Sequence, residues 1–249
     1  MRSSLWSLPL SSFDGLSVRC APGVHETVAD LIVAKVPVLS ATLDLAAGTG
    51  AFLARLKQHG FTNLSAVELD TKHFALKGIE PLSVDLNSDF SRAFERRFDL
   101  VTAIEIIEHL DSPRHFLHEI WNLLKPGAYL ALSTPNIAHW VGRLRFATSG
   151  ELRYFRERDY HHQRHISPIA DGHMRLMLKE IGFDLIEQTT AGSFWGPLKR
   201  AAAAPAELLA RGLFGSIITG DVCIYLVQKT DPDHESEGRS SAAYVHRYD

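Results

Sequence analysis

The run Leu43-Asp44-Leu45-Ala46-Ala47-Gly48-Thr49-Gly50 sets a carboxylate inside an apolar stretch and follows it at once with a turn of very small residues. Residues 42–46 read as a strand, and beyond the turn Phe52, Leu53 and Leu56 share one helical face until Gly60 ends it. A strand that passes through glycines into a helix is the opening of a βαβ unit, and such units feed parallel sheets. The small residues let a ligand approach the backbone, while the amides at the helix start favour a negative group. Asp44 then offers a partner to a cation.

The rest of the chain continues the alternation. Residues 64–67, 81–84, 98–104, 129–133, 183–189 and 222–228 are β-branched or aliphatic runs that read as further strands, seven in all with the first. Ser112-Pro113 caps and starts a helix carrying Phe116, Leu117, Ile120 and Leu124, and Ser167-Pro168 is expected to start another that stops at Gly182. The fold class expected is α/β: a Rossmann-like, doubly wound, seven-stranded and mostly parallel sheet. One domain is expected over residues 1–230, with a lid insertion at about 134–166, where a compact domain usually has only a short loop. Residues 231–249 are polar and are expected to form a disordered tail.

Ligands of such sheets lie beyond the carboxyl ends of the strands, where this sequence places acids. Glu68, in the string Glu68-Leu69-Asp70, stands about twenty residues after the turn, the spacing at which a carboxylate accepts ribose hydroxyls. Asp85 is placed to accept an adenine amine with Leu86 lining the ring; an Asp in a turn also bonds its own backbone, and that alternative stays open. A G-x-G-x-x-G fingerprint fails, because counting from Gly48 reaches Leu53 at the third glycine. A group with a carboxylate, an ammonium and a sulfonium, as in S-adenosylmethionine, matches amides beside an acid, whereas a pyrophosphate beside Asp44 is repelled.

Composition removes several classes. A net charge of −3 supplies no general positive field for nucleic acid. Cys20 and Cys223 form no C-x-x-C pair and indicate neither a disulfide framework nor a zinc ribbon; a reducing, cytoplasmic setting is expected. Residues 1–10 hold too short an apolar stretch for an export signal, and residues 201–227 are interrupted by Pro205, Glu207, Arg211 and Asp221, too often for a spanning helix. The segment from Leu208-Leu209 to Leu213-Phe214 is amphipathic and is expected to pack into the core, a dimer contact or docking on a membrane surface being the other readings.

Several strings occur here in one order: Leu43 to Gly50, Glu68, Phe98-Asp99-Leu100-Val101-Thr102-Ala103-Ile104-Glu105-Ile106-Ile107-Glu108-His109-Leu110, Leu123-Leu124-Lys125-Pro126-Gly127 and Ser133-Thr134-Pro135-Asn136. Over residues 21–229 the chain resembles the class I S-adenosylmethionine-dependent methyltransferases, in particular the branch of the ubiquinone-biosynthesis O-methyltransferases. The resemblance implies a seven-stranded sheet whose last strand is antiparallel, and cofactor contacts from Ala46, Gly48, Gly50, Glu68, Asp85 and Ile104. Ala46 stands where the family usually has Gly, and Glu68 where it usually has Asp.

On the acceptor side, Glu105-x-x-Glu108-His109 follows the fourth strand at the cleft mouth. His109, Glu108 and His165 are the candidate catalytic groups, His having the acidity suited to a general base. The other reading has Glu105 close over the cofactor while His109 packs or caps the next helix. In the resembled relatives a matching Glu and His group is associated with a divalent metal, so such an ion is a further candidate here, with no ligand set fixed. The lid stretch carries Arg143, Arg145, Arg153, Arg156, Arg158 and Arg164 among Trp140, Phe146, Tyr154, Phe155 and Tyr160, which suits an anionic or glycan-like small-molecule acceptor or, equally, a solvated surface. His161, His162 and His165 sit beside it. O-methylation of a small, sugar or lipid-linked acceptor is the expected activity, the alternatives being a nicotinamide-dependent oxidoreductase and a non-catalytic nucleotide-binding paralogue.

Overall fold

The computed structural model describes residues 11–195, 197–214 and 219–230. A small antiparallel hairpin, β1 (Ser12–Phe13) and β2 (Leu16–Ser17), precedes helix α1 (Val24–Val33). The main sheet then takes β3 (Thr42–Leu45), helix α2 (Ala51–Gln58), β4 (Leu64–Val67) and β5 (Phe98–Ala103). Helix α3 (Pro113–Leu123), β6 (Leu124–Pro135), the short helices α4 (Trp140–Ser149) and α5 (Glu157–Gln163), α6 (Asp171–Ile181), β7 (Phe183–Ala191), α7 (Pro197–Phe214) and β8 (Val222–Lys229) complete the chain.

The sheet order is β4-β3-β5-β6-β8-β7, parallel from β4 to β6, with β8 antiparallel to both its neighbours. Its central strands are buried on both faces and therefore read as near-continuous apolar runs. Alternate side chains feed two cores. Leu43, Leu45, Val101 and Leu130 meet α3 through Phe116 and Ile120 and α6 through Met174, while Leu100, Ala131 and Ile224 meet α1 through Val28 and Ile32 and α2 through Phe52 and Leu56. This is the doubly wound arrangement expected, with the last strand reversed.

Among the described residues the main sheet has six strands, not seven. The run at residues 81–84 contributes one parallel bridge, Val67 to Leu82, at the sheet edge. Leu82 exchanges hydrogen bonds with Ala66 and Glu68, but Pro81 has no N–H to extend the ladder, and Asp85 folds the chain away by accepting from the amide of Asn87. Ser112 does cap α3, accepting from the amide of His115, with Pro113 at the first position. The expected helix start at Ser167 is corrected to Asp171: the Ser167 hydroxyl donates to the Leu110 carbonyl and its amide to the Glu108 carbonyl, so the residue is tied to a neighbouring loop.

The segment 134–166, expected as a lid insertion, holds α4 and α5. The core packing expected of Leu208 and Leu209 is also corrected, since both are exposed on α7. The expectations for residues 1–10 and the tail at 231–249 lie outside the described residues.

Candidate functional site

The end of β3 sets the floor of the site. Asp44 lies opposite Thr102 in the sheet, and the Thr102 hydroxyl donates to Asp44 Oδ1 at 2.6 Å. Burial drives the Asp44 carboxyl up to about 7, against the lowering effect of the Thr102 bond, and the nearby Glu68 adds to the rise. Beyond it the backbone enters the left-handed region at Ala46 (φ 57°), Gly48 (φ 58°) and Gly50 (φ 86°). A Cβ at Gly50 would stand 2.6 Å from the Leu76 Cβ, so that position admits no side chain; at Ala46 a methyl is carried at the expense of backbone strain. Glu68 reaches across from the end of β4 and accepts from the Gly48 amide at 2.7 Å, so the acid also holds the turn in place.

The loop after β5 supplies the next groups. Glu105 also sits at positive φ; its amide donates to Ser133 Oγ, and the Ser133 hydroxyl donates to Glu105 Oε1 at 2.9 Å. Burial raises its carboxyl to about 7. Glu108 is fully buried and raised well above the ordinary carboxylate range, by burial first and then by Glu105. Its Oε1 has no hydrogen-bond partner among the described residues and lies 3.8 Å from His109 Nε2.

His165 packs edge-on to His109 with ring centroids 4.8 Å apart. Its Nδ1 lies 2.8 Å from the Tyr154 carbonyl, which can only accept, so Nδ1 carries the proton and Nε2 is left as an acceptor. Burial lowers the pKa of both rings, which favours the neutral imidazoles. One donor atom from each of Glu108, His109 and His165 falls within 4.8 Å of the others, a set of one carboxylate and two imidazoles able to hold a cation.

These groups line one cavity of about 850 Å³, within the ~300–1,000 Å³ range of small-molecule sites. Asp44, Ala46, Gly48, Glu68, Ile104, Glu105, Glu108, His109 and His165 all border it. Gly50 lies buried behind the turn, Leu69 is exposed, Leu86 is in the core, and Asp85 is exposed with its carboxylate on its own turn; none of these four is in the lining. Acids occupy the strand ends, whereas Arg145, Arg153, Arg156 and Arg158 enter from the insertion.

Those arginines are largely engaged with the protein itself. Arg156 and Arg158 both bond buried Asp159, Arg145 pairs with Glu151, and Arg153 pairs with buried Asp221 at 2.8 Å. Asp221 also accepts from the Phe194 amide at 2.7 Å and lies 3.6 Å from His139, whose pKa falls to about 4 through burial and the neighbouring Arg153 despite Asp221. Asn136 donates to the Gly220 carbonyl just before it. Asp221 thus clamps the insertion to the sheet. The sequence marked it only as a break in an apolar stretch; its place immediately before the last strand was the available signal. His25, Phe194 and Trp195 also line the cavity and carried no sequence signal.

The family model described as a methyltransferase domain matches residues 20–188. Among curated proteins, the mitochondrial ubiquinone biosynthesis O-methyltransferase of Dictyostelium discoideum is 26% identical over 133 residues, which is 52% of this chain and 37% of that protein. The chain therefore spans less than half the length of that relative. Among solved structures, a SAM-dependent methyltransferase from Archaeoglobus fulgidus aligns with a TM-score of 0.57 at 18% identity, covering 82% of this chain and 94% of that one. The N-methyltransferase NodS from Bradyrhizobium japonicum, solved with S-adenosyl-L-homocysteine, aligns with a TM-score of 0.52 at 14% identity, covering 82% and 85%.

Proposed function

The chain belongs to the family of methyltransferase domains, and on that premise we propose that it is an S-adenosylmethionine-dependent methyltransferase acting on an oxygen of a small, sugar or lipid-linked acceptor. The observation that carries the reading is Asp44: a buried carboxylate that faces the cavity and, among the described residues, receives a hydroxyl hydrogen bond rather than a cation. The ammonium of the cofactor's amino-acid end supplies the missing positive charge. Ala46, Gly48 and Gly50 shape the backbone against which that end lies, and the Glu68 oxygen left over from the Gly48 bond accepts from the ribose. Glu105 and Ile104 close the same side. A dinucleotide pyrophosphate would meet the carboxylates of Asp44, Glu68, Glu105 and Glu108 instead.

Methyl transfer from a sulfonium is intrinsically favourable, so in-line placement supplies much of the rate. His165 completes the oxygen chemistry: with Nδ1 held by the Tyr154 carbonyl, Nε2 accepts the acceptor hydroxyl's proton as the methyl arrives. His109 packs against it and holds its orientation.

A second reading adds a divalent cation to the same acceptor chemistry. It is favoured by the partnerless Glu108 Oε1 and the convergence of Glu108, His109 and His165, which fit such an ion. When bound, the ion would supply Lewis acidity to the acceptor hydroxyl.

Calorimetry with S-adenosylmethionine tests the main reading. Saturable binding is expected, and a folded sample that takes up none at millimolar concentration sinks it. His165→Ala should lower turnover about 100-fold with cofactor affinity retained. Titration of magnesium or zinc into the wild type and Glu108→Gln separates the metal reading, which needs binding by the former alone.

A further inference from the structure

Helix α7 turns Leu198, Leu208 and Leu209 outward. On a 3.6-residue repeat Ala203, Glu207 and Ala210 fall on one row, and these three are half-buried. The opposite row carries Leu198, Ala201, Pro205, Leu209 and Gly212, with Leu208 beside it, and its leucines are bare: Leu198 is 87% exposed, Leu208 72% and Leu209 65%. Beneath the helix the ground is polar, since Glu207 and Arg211 line a second cavity, of about 570 Å³, together with Gln188, Thr189 and Thr190 of β7. An amphipathic helix packed on a globular core has the reverse orientation.

We propose that α7 is an interfacial helix that docks this protein on an anionic lipid bilayer with the leucine row inserted among the acyl chains. The choice of occupant follows from charge. Among its described side chains the helix carries Lys199 and Arg211, both exposed, against Glu207 alone, a surplus of one positive charge on a chain whose net charge is −3. That local reversal complements anionic headgroups, and basic residues around an apolar face are the pattern of helices that lie in the membrane interface. Among the described residues no helix is long and apolar enough to cross a membrane, so α7 lies on the surface. Phe194 and Trp195, just before α7, line the large cavity, so docking sets the rim of that cavity within a few residues of the headgroups. The docking is independent of the methyl-transfer chemistry proposed above.

Cosedimentation of the full chain with vesicles tests this, using phosphatidylcholine alone and a mixture with about a third phosphatidylglycerol. The wild type should partition at least tenfold better into the anionic vesicles, and half-molar salt should abolish the difference. Leu208→Glu/Leu209→Glu should lose at least tenfold in partitioning while keeping its far-ultraviolet spectrum and cofactor affinity; if it fails to fold, Leu208→Ser/Leu209→Ser replaces it. No partitioning of the wild type, or equal partitioning of a folded leucine variant, overturns the proposal. So does a wild-type dimer in solution that the variant renders monomeric, which would assign the leucine row to self-association.

Discussion

Replacing Asp44 by Asn should make the empty protein more stable and the cofactor harder to hold. The side chains are nearly isosteric, and the amide oxygen of Asn can still accept from the Thr102 hydroxyl. What disappears is a buried ionisation. Displacing the carboxyl from 3.8 to about 7 corresponds to about 4 kcal/mol against the charged form at 1.36 kcal/mol per pH unit. Because the folded state binds the proton more tightly than the unfolded chain, the wild type loses stability as pH rises from about 4 to about 7 and levels off above that. The Asn variant escapes the loss. Its advantage should therefore approach about 4 kcal/mol at pH 8 as an upper bound, fall to about 1.5 kcal/mol at pH 5, and vanish near pH 3.5. Urea unfolding at those three values reads the difference. Cofactor affinity moves the other way: exchanging a charge-assisted hydrogen bond to an ammonium for a neutral one should cost ~1.5–3 kcal/mol, or about 10- to 150-fold in Kd by calorimetry. A variant that is less stable than the wild type at pH 8 and binds the cofactor equally well would refute the assignment of Asp44 as an unpaired buried anion waiting for a cation.

Ala46→Gly should relieve the left-handed backbone at φ 57°, raising Tm by ~2–4 °C for a gain of about 1 kcal/mol; a fall in Tm would show that the alanine methyl contributes more than its strain. Arg153→Met leaves the Asp221 carboxylate buried without its guanidinium and should destabilise the protein by about 3 kcal/mol in urea, an effect that Asp221→Asn on the same background should reduce. The pH dependence of turnover should divide. With the His165 pKa lowered by burial, kcat should persist below pH 6.5, whereas kcat/KM for the cofactor should fall as pH drops below about 7 and Asp44 and Glu105 take up protons; coincident profiles would reject that division.

Local signals read correctly from residue order alone. The Ser112-Pro113 cap depends on neighbours within one turn, and the small residues after Asp44 answer to backbone angles that their own positions demand. The third strand misled because a run of suitable residues does not reveal that Pro81 lacks a donor at a sheet edge. The helix start at Ser167 misled because its hydroxyl serves Leu110, 57 positions away, and no local rule contains that partner. The same limit hid the Arg153–Asp221 clamp and the meeting of His109 with His165, which depend on how the insertion folds back. The Leu208-Leu209 pair was legible as amphipathic, but which side of α7 meets the body is set by tertiary packing.

The Glu108 carbonyl accepts from the amides of both Ile166 and Ser167, while Asn136 fastens the other end of the insertion to Gly220. Two fixed posts therefore bracket the segment between them, and His165 stands directly beside one post. Replacement of the middle, including α4, can reshape what enters the cavity while the imidazole stays in register with the β5 loop. A chimera that exchanges residues 140–152 is accordingly the economical place to change acceptor preference without rebuilding the centre.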